Sequence, residues 1–296
     1  MPVAHEFEYY KPTTLDEALD LLAKHRGRAR VLAGGTDLAL KIKEGTETPD
    51  VVVDIKGIDA LQRLECENDR LFVGARVTFS SLVASPLVAE KFPLLKDASG
   101  TVGSVGIRNR ATLVGNICSA VPSLDSGPAL LVHEAIVHTK SINEERSVPI
   151  AEWFVGPKQS ALKTGEIVIG ISVPFPPKRF GGCYVKLGRY AGEDLAQAGV
   201  GILALEEHEY RVAFCAVGPT PIRSARVEAL LNGEELTDTL IEEAKALIPE
   251  EISPIADIRS SKDYRLLMAK VMFERGMKRA VARLAGEQSK DGAIWI

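Results

Sequence analysis

The segment Ala33-Gly34-Gly35-Thr36-Asp37 sets two glycines, a hydroxyl and a carboxylate directly after the apolar run that ends at Leu32. Glycine permits positive φ and lets another group come into van der Waals contact with the backbone. Successive free N–H groups in such a turn make a nest for an anion, and Thr36 adds a hydroxyl donor. A tight connection of no chemical interest would use the same residues, so the turn alone leaves both readings open. It is not a G-x-G-x-x-G fingerprint and lacks the lysine of a P-loop.

Residues 100–131, GTVGSVGIRNRATLVGNICSAVPSLDSGPALL, are the most informative stretch. They hold Gly100, Gly103, Gly106 and Gly115, the pair Gly115-Asn116, and a D-x-x-P from Asp125 to Pro128. Little in the first twenty residues looks able to fill a core, so a long glycine-rich loop is expected. Such loops are uncommon inside compact domains unless they carry function. Ser104, Thr112, Asn116 and Ser119, with the bare backbone, offer donors suited to a phosphate or pyrophosphate. An extended surface loop is the competing reading. In a third stretch, YVKLGRYAGEDLAQAGVGILAL (184–205), Lys186, Arg189 and Asp194 sit among apolar residues. They form either a salt-bridged strand edge or a group facing a cleft at a domain junction, where ligand pockets favour clefts.

Other chemistries find no support. Cys66, Cys118, Cys183 and Cys215 form no C-x-x-C pair, so they read as small buried hydrophobes in a reducing compartment. His5, His25, His133, His138 and His208 lack ligand spacing, and no metal or iron–sulfur cluster is expected on this chain. No Ser–His–Asp set and no paired carboxylates stand out. Nucleotide-cradling turns without an acid–base set suggest that a bound cofactor does the chemistry.

The 296 residues suit two domains or one large one, at roughly 100–200 residues per domain. With 46% hydrophobic and 26% charged residues and a net charge of -4, the composition is that of a globular protein. No run of like charges gives a nucleic-acid footprint. No stretch of about 18 apolar residues predicts a membrane span. The start MPVAHEFEYYKP lacks the basic and apolar regions of a signal peptide, so a cytoplasmic location is expected.

The elements that must position these residues follow from spacing. Residues 13–24 predict a helix capped by Thr14, with Glu17 completing a capping box. A strand ends in the first glycine turn, a short helix runs to Gly45, and DVVVDI (50–55) reads as a strand covered on both faces. This order predicts a small parallel unit over residues 1–56. Residues 57–175 predict an antiparallel α+β unit, with a hairpin at 134–150 and a strand at 166–174. PFPPKRFGG (174–182) reads as a linker, loosened by Gly181 and Gly182. Beyond it, over 180–290, come three strands and then helices. The last helix is expected to dock through Leu266, Leu267, Lys270, Val271, Met277, Val281 and Leu284.

Three motifs resemble one family: AGGTDL, then G-x-x-x-x-R-N-x-A-T-x-x-G-N-x-x-x-x-x-P-x-x-D-x-x-P-x-L, then K-x-x-x-R-x-x-x-x-D-x-A. With F-x-Y-x-x-P-T-T-L-x-E-A-L-x-L-L early and D-I-R-S-S-x-D-Y-R-x-x-L late, the chain resembles the FAD-binding medium subunit of molybdenum hydroxylases throughout its length. These include the carbon monoxide, xanthine and nicotinate dehydrogenase types. The resemblance implies an α+β chain: a two-subdomain FAD-binding fold of the vanillyl-alcohol-oxidase type, followed by a C-terminal antiparallel sheet with helices. It implies FAD on this chain, with the pyrophosphate against Ala33, Gly34, Gly35 and Thr36 and against the segment Thr112–Asn116, which includes Val114 and Gly115, while Leu32, Asp37, Val102 and Gly103 are further cofactor-binding residues. Asp125, Val168 and Lys186 match further cofactor-contact positions, and Asp194 matches a motif position without an assigned role. Molybdopterin on a large partner subunit and [2Fe–2S] clusters on a small one are implied, in a dimer of heterotrimers. Electrons would pass through the clusters to FAD and on to an external acceptor. Where the family has T-I-G-G-N, this chain has TLVGN, so Val114 must keep a negative φ. The cysteine-bearing loop of relatives that reduce aromatic CoA thioesters is missing. A self-sufficient FAD oxidoreductase and a non-catalytic interaction protein are the alternatives.

Overall fold

The computed structural model describes residues 5–190, 192–287 and 292–296. Residues 1–4 and 288–290, the outer ends of the first and last expected units, lie outside the described residues.

The first layer is a parallel sheet in the order Glu8–Tyr10, Val51–Asp54, Ala29–Leu32. The valine run is its central strand and every one of its residues is buried, which is why it alternates with nothing polar. Helix Leu15–Lys24 buries Ala18, Leu19 and Leu22. Thr14 accepts from the Glu17 N–H while the Glu17 carboxylate accepts from the Thr14 N–H, the capping box that the spacing predicts. Helix Leu38–Lys43 follows the first glycine turn, and Gly45 beyond it takes φ +70°.

The second layer is an antiparallel sheet in the order Leu64–Glu67, Arg70–Gly74, Ile167–Pro174, Ile136–Lys140, Glu145–Pro149. The expected hairpin and the expected strand at 166–174 are both present. The expected long loop is not. Residues 100–131 fold into the end of helix Pro93–Gly100 and the helices Val105–Arg108, Leu113–Ser119 and Ser126–Val132. Leu113, Val114, Ile117 and Leu124 are buried core residues. Helices this short never complete an apolar stripe, so period alone misses them. Their caps are the local signal: Ser104 and Thr112 each accept from the N–H three residues on.

The third sheet runs Ile222–Arg223, Glu209–Cys215, Ala198–Leu205, Phe180–Leu187, Ile294–Trp295, so it recruits a strand beyond the expected limit at 290. Its two faces pack differently. Cys183, Val185 and Leu187 join a core with the C-terminal helices. Tyr184, Leu203 and Leu205 join the core of the first two sheets. Gly181 and Gly182 do not loosen a linker; they open strand Phe180–Leu187. A Cβ on Gly181 would lie 2.1 Å from the Ala280 carbonyl oxygen, so glycine is what lets the long helix Lys262–Leu284 rest on the strand. That helix buries Met268, Ala269, Met272, Phe273, Gly276, Met277 and Ala280, whereas Leu267 faces outward. Of the expected stripe, Met277 is buried and Leu266, Val271, Val281 and Leu284 pack at the edge of the same core, while the centre of the docking face lies along Met268–Ala280. Small residues allow close approach and choose the docking face; a count of large apolar residues overlooks them.

Candidate cofactor cleft

The first glycine turn and the segment before helix Leu113–Ser119 meet. A Cβ on Gly34 would lie 2.0 Å from the Arg110 carbonyl oxygen and 3.0 Å from the Ala111 Cα. The Arg110 side chain returns to the Gly34 carbonyl at 3.4 Å, across 76 positions of sequence. Further along, the Ser119 hydroxyl donates to the Asp37 carboxylate. Gly35 takes φ +80°. Thus Gly34 is bare because another stretch of backbone lies against it, and Gly35 because of its dihedral angle.

Behind the turn, Asp54 is buried and accepts from the Tyr9 hydroxyl, with the Lys56 ammonium at 2.8 Å. Burial pushes its carboxyl pKa up, but Lys56 and Tyr9 overcome this and hold it below the ordinary value. Lys56 also donates to the Ala33 carbonyl at 3.3 Å, which anchors the turn from below.

Leu32 to Asp37, Val102, Gly103, Thr112, Val114, Gly115, Asn116, Asp125 and Val168 all line one cleft of about 770 Å³, within the range of small-molecule and cofactor sites. Among the described residues, the N–H groups of Gly34, Gly35, Thr36 and Asp37 have no acceptor within the chain. Four adjacent donors on a glycine turn are the chemistry that receives a phosphate oxygen. The residues present thus fit a dinucleotide with a pyrophosphate. Val114 lies within helix Leu113–Ser119 at negative φ, is buried in the core, and is one of the residues lining the cleft.

Lys186 is the exception. It does not line the cleft. Its ammonium is fully buried behind the wall, 2.9 Å from Asp125 Oδ2 and 2.8 Å from the Thr101 carbonyl, to which it donates. Asp125 Oδ1 accepts from the Tyr184 hydroxyl at 2.8 Å. Burial pushes the Asp125 pKa up, and Lys186 and Tyr184 work against that rise.

Other lining residues carried no recognisable signal. Arg30 pairs with Glu47 at 3.0 Å on one side of the cleft. Glu166 accepts from Arg146 at 2.6 and 2.8 Å and from the Lys163 N–H at 2.8 Å. Burial raises its pKa, and these bonds more than reverse the effect. Cys118 also lines the cleft, where burial pushes its thiol up to about 12, so it stays protonated. Asp194 gains a role: its carboxylate accepts from the N–H groups of Arg189 and Leu195, folding the loop that brings Leu195 to the cleft.

The fold and the cleft define a dinucleotide-binding chain. Residues 5–176 match the family described as FAD binding domain in molybdopterin dehydrogenase, and residues 183–280 match the CO dehydrogenase flavoprotein C-terminal domain. The chain belongs to this family of FAD-binding subunits of molybdenum hydroxylases. It is 31% identical over 291 residues to the caffeine dehydrogenase subunit beta of Pseudomonas sp. (strain CBB1), covering 97% of this chain and 98% of that one. Its fold matches carbon monoxide dehydrogenase from Hydrogenophaga pseudoflava with a TM-score of 0.91 at 30% identity, over 96% of this chain and 99% of that chain. Quinoline 2-oxidoreductase from Pseudomonas putida 86 matches with a TM-score of 0.89 at 25% identity, over 96% and 99% of the two chains.

Proposed function

We propose that this chain holds FAD in the cleft and relays electrons from the [2Fe–2S] clusters of a small partner subunit to an external acceptor. The substrate is oxidised at a molybdopterin centre on a large partner subunit, and the assembly is a cytoplasmic dimer of heterotrimers. Three units build the chain, 1–56, 57–175 and 180–290, each contributing strands to its own sheet.

The N–H groups of Gly34 to Asp37 would hold the pyrophosphate, with Ala33 and Leu32 shaping that wall. The segment Thr112–Asn116 approaches it from the other side, with Val102 and Gly103 nearby. Asp125 and Val168 hold the remainder of the cofactor, and Lys186 acts on it through Asp125. FAD, when bound, supplies the electron storage; the chain's residues bind it, orient it and keep it from solvent. The observation that carries this reading is the contact of two glycine-bearing bends, 76 positions apart, over four unspent N–H donors. A self-sufficient oxidoreductase would need a free acid or base in the cleft; Asp125 is engaged by the buried Tyr184 and Lys186, and Glu166 by the half-buried Arg146.

Two measurements test the proposal. Titration of the purified chain with FAD should reach one flavin per chain, with a yellow absorbance spectrum. A chain that stays colourless with FAD in excess refutes cofactor binding. Native co-purification should recover two further chains together with iron and molybdenum. A chain that elutes alone, loaded with flavin and active on a substrate of its own, favours the self-sufficient enzyme.

A further inference from the structure

Side chains two apart on a strand point the same way, and strand Phe180–Leu187 thereby turns Tyr184 and Lys186 to one face. Both end on a single carboxylate. The Tyr184 hydroxyl donates to Asp125 Oδ1 at 2.8 Å, and the Lys186 ammonium lies 2.9 Å from Asp125 Oδ2. Both side chains are shut off from solvent, whereas Asp125 belongs to the wall of the cleft. The neighbouring strand makes room for the phenol: a Cβ on Gly199 would lie 2.4 Å from the Tyr184 oxygen. The Trp295 ring stands 5.1 Å from the Lys186 ammonium. A buried ion pair of this kind is weak evidence for stability, since apolar residues of similar size often serve at least as well. Its oriented polar groups instead hold Asp125, a residue of the cleft wall, in place.

We propose that Tyr184 is a positioning residue for the cofactor: with Lys186 it fixes the Asp125 carboxyl group in one orientation in the cleft wall. The C-terminal sheet thereby sets part of the affinity and redox behaviour of a flavin bound by the first two sheets. This rests on the FAD reading above. Burial favours protonation of Asp125; the Tyr184 and Lys186 bonds oppose it. Without the hydroxyl, Oδ1 loses its donor and the carboxyl is more readily neutralised.

The test uses the full chain reconstituted with FAD and three variants: Tyr184→Phe, Asp125→Asn and the double variant. Tyr184→Phe should weaken FAD binding about tenfold, the scale of losing a hydrogen bond to a charged group. It should also raise the flavin midpoint potential, because less negative charge then opposes reduction. Added to Asp125→Asn, the same change should have no further effect on either quantity, since it acts through that carboxylate. Wild-type affinity and potential in Tyr184→Phe would overturn the proposal, as would an effect that persists undiminished in the Asp125→Asn background. A wild-type chain that takes up no flavin would overturn the cofactor reading and this proposal together. Normal FAD binding by wild type, with Tyr184→Phe silent, would overturn this proposal alone.

Discussion

Adding one methyl group at Gly34 tests the arrangement of the cleft most directly. The Cβ of Gly34→Ala would stand 2.0 Å from the Arg110 carbonyl oxygen, 2.7 Å from its carbon and 3.0 Å from the Ala111 Cα. All three are backbone atoms, so no rotamer change relieves the clash. Restoring an acceptable separation requires the two bends to part by about 1 Å, on the scale of small-to-large core changes that cost roughly 1–3 kcal/mol. If that cost falls on the cofactor site, FAD affinity drops roughly 5- to 150-fold. At Gly35 the obstacle is different. Its φ of +80° strains any other residue by roughly 1–2 kcal/mol. Its Cβ would meet the flexible Leu32 Cδ1 at 2.9 Å, which can move aside. At Gly106 a Cβ would meet only the Ser104 hydroxyl, at 3.7 Å. Flavin fluorescence quenching on titrated apoprotein, with thermal melts as a check on folding, should rank the alanine variants: Gly34 most impaired, Gly35 intermediate, Gly106 like wild type. Undiminished affinity in Gly34→Ala, or a larger loss in Gly35→Ala, would refute the account of two bends held in register by a missing side chain.

Two further outcomes follow from single buried groups. Val114→Gly, which restores the residue usual in the family, deletes a core side chain and places glycine inside a helix. It should lower unfolding stability by about 2–3 kcal/mol in urea while leaving FAD affinity within about threefold of wild type, because the peptide N–H is unchanged. A loss of affinity without a loss of stability would show that the side chain itself serves the cofactor. Asp257 is pushed up by burial, but the Arg265 guanidinium at 2.6 Å and the N–H groups of Arg259 and Ser260 bring its pKa down to about 2. A carboxyl lowered on folding stabilises the fold above its ordinary pKa, and that contribution fades as pH falls toward 2. Asp257→Asn should therefore melt a few degrees below wild type at pH 7, with the gap narrowing below about pH 4. A gap independent of pH would mean that the carboxylate charge contributes nothing there.

The sequence was legible where a signal is local. The Thr14–Glu17 box, the Val51–Asp54 run and the hairpin from Ile136 to Pro149 each carry their cause within a few residues, and each stands where spacing puts it. The cleft was legible through motifs; fourteen of the fifteen cofactor positions share one wall or another of it, Lys186 being the one set behind. What stayed hidden depends on partners distant in the chain. Nothing in AGGT says that Gly34 abuts Arg110, so its bareness reads as a provision for phosphate when it is first a provision for backbone. Gly181 reads as a linker until the long helix lies on it. Lys186 reads as a ligand-facing cation, yet strand geometry aims it at Asp125, a residue of the cleft wall. At Gly34 and Lys186 residue type was read correctly as permitting close approach or supplying charge, and the error lay in which neighbour it served; at Gly181 the same lack of a side chain was read as looseness. The chemistry of this site is thus written twice, in the residues that face the cofactor and in the glycines and buried polar groups that hold those residues against one another. Only the first set carries a motif.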